Sequence, residues 1–499
     1  MPESRSVPTA TSTLEQAVPF GEQLHRRALT DPEAIAVIIV AIDGIESALT
    51  YDDLERRATQ WGRTLADQGA GIGDLVGLAV PNSPELVLAA LGCWKIGAVP
   101  VPMRWDLPEW EFSRLLEALQ APVVVDEDNC ARLATQAESE SDAPLPAVLS
   151  PMINGICSSG STGLPKIILD TKPAAWTPDS CKPFATNWTD IPRPQTILVP
   201  GPMYHTNGFA TLPYLLGGDQ LVVLEKFDAA TILDVIDRHR VTTFTATPTM
   251  LARIAAVPGI EDRDLSSLRW IQQGAAAMPA ELLRRWFDLL SPEQVYMAYG
   301  MTENLGLAAL RGDEWLERRG SVGRGFRGTE IRVLDENRTP VPTGELGEIY
   351  LRSPMSGAYR YLGGATPPSP TADGFRSAGD IGHLDGDGYL YIADRRTDMI
   401  VTGGANVFPA EVENALIAHD DIADVVVIGL KDPEWGRRVH AVVQPANGAS
   451  ALTEPDVIAY AKGRLARYKV PKTVEFVAEI PRSAATKVNR SAMIKAREG

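Results

Sequence analysis

What this chain has little of excludes several classes of protein. It holds four cysteines in 499 residues, and Cys93, Cys130, Cys157 and Cys181 show no Cys-x-x-Cys spacing. They therefore read as reduced thiols of a cytoplasmic protein rather than a disulfide frame or a zinc site. Positive charge is also short, since 47 Lys and Arg against 64 Asp and Glu leave a net charge of −17. That deficit argues against nucleic acid and anionic membrane surfaces as partners. It leaves ATP open, because a phosphate site needs only local positive charge. The longest aliphatic run, Ala34 to Ile42, is too short to span a bilayer and reads as a buried strand. Residues 1–13 are rich in Ser, Thr and Pro and lack the basic start and apolar core of a signal peptide, so they read as a disordered tail. No solenoid-type repeat is present.

What is there is an ordinary globular composition, 44% hydrophobic and 22% charged. The length exceeds what one core usually serves, so two or more domains are expected. Helical and strand periods alternate through residues 20–390: a helix over Thr50 to Gln68, a strand over Leu75 to Val80, and a helix over Pro84 to Lys95 with proline in its first turn. Gln195 to Val199 and Gln220 to Leu224 read as further strands. Such alternation predicts an α/β fold of parallel sheets covered by helices. From Glu345 to Ile392 the texture turns β-rich. The Asp-Gly pairs at Asp385 to Gly388 lack the later acidic ligands of a calcium loop and read as a hairpin turn. After Asp394 a smaller α+β unit begins, with helices over Pro409 to Ala418 and Glu454 to Leu465 and a strand at Val425 to Ile428.

One stretch points to chemistry: Ser158-Ser159-Gly160-Ser161-Thr162-Gly163-Leu164-Pro165-Lys166. Small hydroxylated residues and glycines leave the backbone bare, so its N–H groups can approach a polyphosphate, and lysine follows as counter-charge. No Gly-Lys-Ser/Thr closes it, so it is not a Walker A loop. Alone, such a stretch is more often a flexible surface turn. Its company changes the reading. Upstream stand Leu49-Thr50-Tyr51, Gly73-Asp74 and the run Lys95 to Pro102. Downstream stand Tyr299-Gly300-Met301-Thr302-Glu303, Gly379-Asp380, Gly403-Gly404-Ala405-Asn406 and Pro481-Arg482 followed by Lys487. In this order, over nearly the whole chain, the pattern resembles the adenylate-forming superfamily of acyl-CoA synthetases, aryl-CoA ligases, luciferases and nonribosomal adenylation domains.

The resemblance implies a large N-terminal adenylation domain (1–394) of helix-covered sheets plus a β-rich subdomain. A small mobile α+β C-terminal domain (395–499) would follow, with the hinge at 394–398 and Thr397 at the hinge position. It also implies activation of a carboxylate by ATP with Mg²⁺, giving an acyl-adenylate and pyrophosphate. Ser158, Ser159, Gly160, Ser161, Thr162, Gly163 and Lys166 would cradle the phosphates. Thr302 would bond the α-phosphate, and Glu303 would be the metal-binding carboxylate. Tyr299 would stack on adenine against a wall of Gly274, Ala275 and Ala276. Asp380, an acceptor-only group suited to a cis-diol, would take the ribose with Arg395 beside it. Lys487 would bridge the carboxylate and the α-phosphate. Two departures are Ile167 and Thr486, each standing where the family usually has glycine.

For the acyl group, the resemblance places His205 as gate, with Phe209, Gly274, Gly300, Met301 and Gly306 around the pocket. The segment around His205 lacks the Phe-Asp start by which amino-acid-activating relatives hold an α-ammonium. Small residues there, with Ala308, predict room for an aromatic or carbocyclic acid. Gly403-Gly404 would face the acceptor, which is coenzyme A in the first reading and an amine, as in amide synthetases, in the second. A non-catalytic nucleotide-binding relative is the third reading. Oligomeric state is not legible.

Overall fold

A computed structural model describes residues 17–159, 165–354, 356–363, 367–395, 398–402, 405–446, 452–482 and 488–498. Ser158, Ser159, Pro165 and Arg395 are described in their backbone only. Gly160, Ser161, Thr162, Gly163, Thr397, Gly403, Gly404, Thr486, Lys487 and the tail 1–13 lie outside the described residues.

Thirteen strands form one continuous sheet. Six of them are parallel neighbours, in the spatial order Val295–Gly300, Trp270–Gln273, Thr243–Ala246, Thr196–Val199, Gln220–Leu224 and Ile35–Val40. Their runs of Val, Ile and Leu alternate with helices along the chain, and Ile35–Val40 is buried at every position but its first. Continuous apolar runs of this kind are what a sheet covered on both faces demands. Glu46–Thr50 closes one edge antiparallel. At the other edge the direction reverses, and Leu307–Arg311, Ser321–Phe326, Leu390–Arg395, Arg376–Leu384, Gly347–Arg352 and Glu330–Leu334 continue the sheet antiparallel. The β-rich segment expected after Glu345 is therefore an extension of the main sheet. Sequence patterning shows strands but not which edge they join.

Local signals set the helices. Tyr51–Asp67 begins with a capping box in which the Thr50 hydroxyl accepts the Asp53 N–H and the Asp53 carboxylate accepts the Thr50 N–H. Pro84–Lys95 starts at Ser83, whose side chain accepts the Leu86 N–H, and has Pro at its first position. Both helices pack in the larger core, where Trp94 is 1% exposed. The Trp94 ring lies 4.9 Å from Phe20 and 6.2 Å from Phe209, and its indole N–H donates to Ile153 O at 2.8 Å.

Two small sheets flank this body. Leu75–Ala79 pairs in parallel with Val99–Pro102 and Val123–Asp126. Pro165–Asp170 lies antiparallel between Asn154–Ser159 and Tyr359–Leu362. The C-terminal unit pairs Ile422–Asp432 with Gly436–Pro445 antiparallel, and Thr473–Phe476 joins in parallel, with helices Pro409–Leu416, Glu454–Lys462 and Arg490–Glu498 against them. Asp394 is buried and accepts the Ala410 N–H at 2.9 Å, and Arg490 pairs with Asp398 and Glu413. All four cysteines are free. Burial pushes Cys157 up to about 12 and Cys130 and Cys181 to about 11, which keeps them as thiols. Among the described residues no helix is long and apolar enough to cross a membrane.

Replacing Trp94 with Ala removes its packing on Phe20 and Phe209 and its hydrogen bond to Ile153 at once. We expect a loss of about 3–5 kcal/mol, read as a lower urea midpoint for the N-terminal unit.

Candidate active site

Three connections leave the carboxyl ends of parallel strands and so emerge on one edge of the sheet. Thr196–Val199 leads to the segment with His205, Trp270–Gln273 to Gly274-Ala275-Ala276, and Val295–Gly300 to Met301-Thr302-Glu303. In open α/β sheets that edge is where ligands bind, at the point where strand order or direction changes. Here the change falls between Gly300 and Leu307, which face each other across an antiparallel pair. Residues 301–306 form the loop joining them. No helix follows Thr302, so its hydroxyl caps none. The Asn304 N–H donates to Met301 O at 3.0 Å, with Asn304 in the left-handed region at φ +50°. A Cβ at Gly300 would come within 2.4 Å of the terminal methyl of Leu307, so a side chain there would displace that residue.

Each side chain of this loop has a defined partner. The Thr302 hydroxyl lies 3.1 Å from the Thr206 hydroxyl, which follows His205. Glu303 Oε1 accepts from Lys166 Nζ at 3.1 Å and from the Tyr361 hydroxyl at 2.8 Å. Lys166 Nζ also sits 4.0 Å from the Tyr361 ring centroid. Burial first, and then the Glu303 carboxylate, raise the Tyr361 phenol above its ordinary range, so it is a donor at neutral pH. The Asn304 side chain donates to Asp170 Oδ2 at 3.0 Å. Lys166, Asp170 and Tyr361 all belong to the small sheet of Pro165–Asp170 and Tyr359–Leu362, which thus holds the loop from one side.

On the neighbouring strand end, the Tyr299 hydroxyl donates to Asp380 Oδ2 at 2.6 Å. The expected adenine and ribose groups therefore meet. The backbone of Arg395 lies opposite Asp380 in the pairing. Gly274 is buried, whereas Ala275 and Ala276 are exposed. Ala275 takes φ +73°, an uncommon conformation for a residue with a Cβ. Its backbone is thereby presented at the same edge.

The acyl side is less as expected. His205 is half-buried, with its ring 4.5 Å from Tyr204, which in turn meets Trp105 edge-on at 5.6 Å. Burial pushes the Tyr204 phenol up to about 12. Phe209 is 1% exposed, with its ring 6.2 Å from that of Trp94 in the core. A short helical turn, Thr206–Phe209, joins it to His205, whose carbonyl accepts the Phe209 N–H at 2.9 Å. The space a Cβ would take at Gly306 is filled by Thr329, 2.6 Å away, so its small size serves packing. Ala308 is fully buried, and Met301 is half-buried against the cluster containing Ile168 and Leu305. Ile167 is fully buried with Val101 and Leu169, which accounts for an apolar residue there.

Sequence reasoning missed Thr206, Tyr361 and Asn82. Asn82 donates to Gly201 O and Leu224 O at 3.0 and 2.8 Å and accepts the Met203 N–H at 2.8 Å, fixing the segment that leads to His205. Its setting, Pro81-Asn82-Ser83-Pro84, reads only as a turn. Nothing in the sequence ties Tyr361 to a carboxylate 58 residues away.

The same edge thus carries one carboxylate with a nearby ammonium, hydroxyls, exposed backbone and a histidine. No group of three or more His, Cys, Asp or Glu suited to a metal occurs among the described residues. A cation held by Glu303 would need its other ligands from phosphate oxygens and water, which suits magnesium.

Comparison with known proteins identifies relatives over nearly the whole chain. The chain is 35% identical to the feruloyl-CoA synthase of Amycolatopsis sp over 93% of its length and 96% of the relative's. It is 31% identical to the indoleacetate–CoA ligase of Aromatoleum aromaticum, with 94% and 96% covered. Its structure resembles the o-succinylbenzoate CoA synthetase of Bacillus subtilis in complex with its acyl-adenylate, with a TM-score of 0.82, 26% identity and 96% and 98% covered. The same synthetase has been solved with ATP and a magnesium ion, at a TM-score of 0.81, 26% identity and 95% and 99% covered. The family described as AMP-binding enzyme matches residues 24–362, and its C-terminal domain matches residues 411–487. The chain belongs to the AMP-binding enzyme family.

Proposed function

We propose that this protein is an ATP-dependent acid–CoA ligase acting on an aromatic or carbocyclic carboxylic acid. The observation that carries the reading is the meeting of Lys166, Thr302 and Glu303 at the carboxyl edge, one strand end from the Tyr299–Asp380 pair. A carboxylate is a poor acyl donor because its leaving group would be oxide. Attack of one carboxylate oxygen on the α-phosphorus of ATP expels pyrophosphate and leaves a mixed anhydride with AMP. Attack of a thiol sulfur on the acyl carbon then expels AMP and gives the thioester, with loss of the thiol proton. Two of the relatives are named for ring-bearing acids, ferulate and indoleacetate, and this supports the substrate class.

In this reading Lys166 and the backbone of the 158–166 loop hold the β- and γ-phosphates. The Thr302 hydroxyl donates to the α-phosphate, and Asp380 accepts from the ribose hydroxyls. Tyr299 and the Gly274-Ala275-Ala276 turn flank the adenine. His205, beside Tyr204 and Trp105, borders the acid together with Met301, Gly274 and Gly300. Glu303 holds Mg²⁺, which when bound neutralises phosphate charge. Lys487, on a small domain beginning near residue 395, neutralises charge where the two anions meet, and Gly403-Gly404 lie on the acceptor side of that domain, with Thr397 at its hinge.

The testing experiment is product analysis by mass spectrometry with ATP, Mg²⁺ and a panel of ring-bearing and straight-chain acids, each offered coenzyme A or simple amines. Ring-acid thioester is expected as the main product. Amide above the background from free adenylate, with no thioester, overturns the acceptor; preference for straight-chain acids overturns the substrate class. Lys487→Ala is expected to slow adenylation by at least ~10²-fold, the usual size for losing one preorganised charge donor. Pyrophosphate release read by a coupled assay checks this, and a near wild-type rate removes Lys487 from the transition state.

A further inference from the structure

Tyr361 is drawn into none of the roles above, yet its contacts are specific. Its hydroxyl and the Lys166 ammonium both end on the same oxygen of Glu303, Oε1. No described residue bonds Oε2. An ionised carboxylate accepts at both oxygens, so loading one of them leaves the other as a single, oriented donor atom. We propose that Tyr361 is a positioning residue that holds Glu303 by Oε1 and thereby aims Oε2 at the divalent cation. This rests on the reading of Glu303 as the metal-binding carboxylate.

Three features make Tyr361 suited to that work. It lies on Tyr359–Leu362, opposite Ile168 in register with Pro165–Asp170, so the phenol and Lys166 ride on adjacent strands of one sheet. Ile168 is 2% exposed and the Tyr359 ring lies 5.3 Å away, which fixes where the Tyr361 ring can stand. The ring face also takes the Lys166 ammonium at 4.0 Å, a cation–π distance. Lys166 is thus shared between a ring and a carboxylate. Without the phenol, Glu303 is left with Lys166 alone, and a direct ion pair competes with a metal for the carboxylate. The Asn304–Asp170 bond anchors the same loop to the same sheet, so Tyr361 has to fix only one side chain and not the whole hairpin.

The test is Mn²⁺ binding to the full chain in the presence of ATP, read from the free-ion signal by electron paramagnetic resonance, together with calorimetric ATP binding without metal. Tyr361→Phe keeps the ring and its contact with Lys166 and removes only the hydroxyl. We expect it to weaken Mn²⁺ about 10-fold, the lower end for losing an outer partner of a metal ligand, with metal-free ATP binding unchanged. Glu303→Gln should weaken Mn²⁺ at least as much, and Tyr361→Phe should add little to it in the double variant. Unchanged Mn²⁺ binding in Glu303→Gln overturns the metal role of Glu303 and the inference with it. A weakened Glu303→Gln beside an unchanged Tyr361→Phe overturns the inference alone. Equal loss of ATP affinity with and without metal in Tyr361→Phe also overturns it, because a merely structural role would do that.

Discussion

The reversal of strand direction between Gly300 and Leu307 is the constraint on which the site depends. On one side of it six strands run parallel, so the connections that follow them appear at the same edge. On the other side the sheet is antiparallel, so the chain can return at once through residues 301–306 instead of crossing over a helix. A loop at that junction borders both halves. It can touch the His205 segment, which follows a parallel strand, and the Tyr359–Leu362 strand, which lies outside the main sheet. A side chain at Gly300 would displace Leu307 there.

A chain with a net charge of −17 has to make its anion site locally. Lys166 is the described cation at the loop, 20% exposed, and Glu303 is 17% exposed. At this partial burial their attraction exceeds that of a surface pair, and the carboxylate keeps the ammonium from wandering. The arrangement also sets a limit. A pair this close neutralises itself, so a polyphosphate must draw Lys166 away from Glu303 to use its charge. The Tyr361 ring offers the ammonium a second, uncharged resting place in the meantime.

Much of this was legible in the sequence, and the rest was not for physical reasons. Helix starts were readable because Thr50 with Asp53 and Ser83 with Pro84 are local signals, and both act as caps. The strands Leu75–Ala79 and Gln220–Leu224 were readable because burial on both faces requires continuous apolar runs. The meeting of Tyr299 with Asp380 follows from motif resemblance, although the bond between them does not. The packing of Phe209 on Trp94 joins residues far apart in the chain, which no local pattern announces. Tyr361 and Thr206 were invisible because their partners are non-local. Asn82 carries three long-range bonds from a dipeptide that resembles any other turn.

The contact between Thr206 and Thr302 bears on how the acid and the nucleotide are read together. A bond between two neutral hydroxyls contributes about 0.5–1.5 kcal/mol, too little to drive a chemical step. It is enough to bias a rotamer severalfold. Either hydroxyl can be the donor in this pair, and in the proposed reading a phosphate would claim the Thr302 proton. Thr206 is the residue after His205, and its backbone begins the turn that buries Phe209 in the core. Under the proposed reading, an acid that displaced the His205 segment would move the partner of Thr302 as well. Any such coupling would be limited to roughly the worth of that one bond, about 0.5–1.5 kcal/mol, which is far below what a chemical step requires.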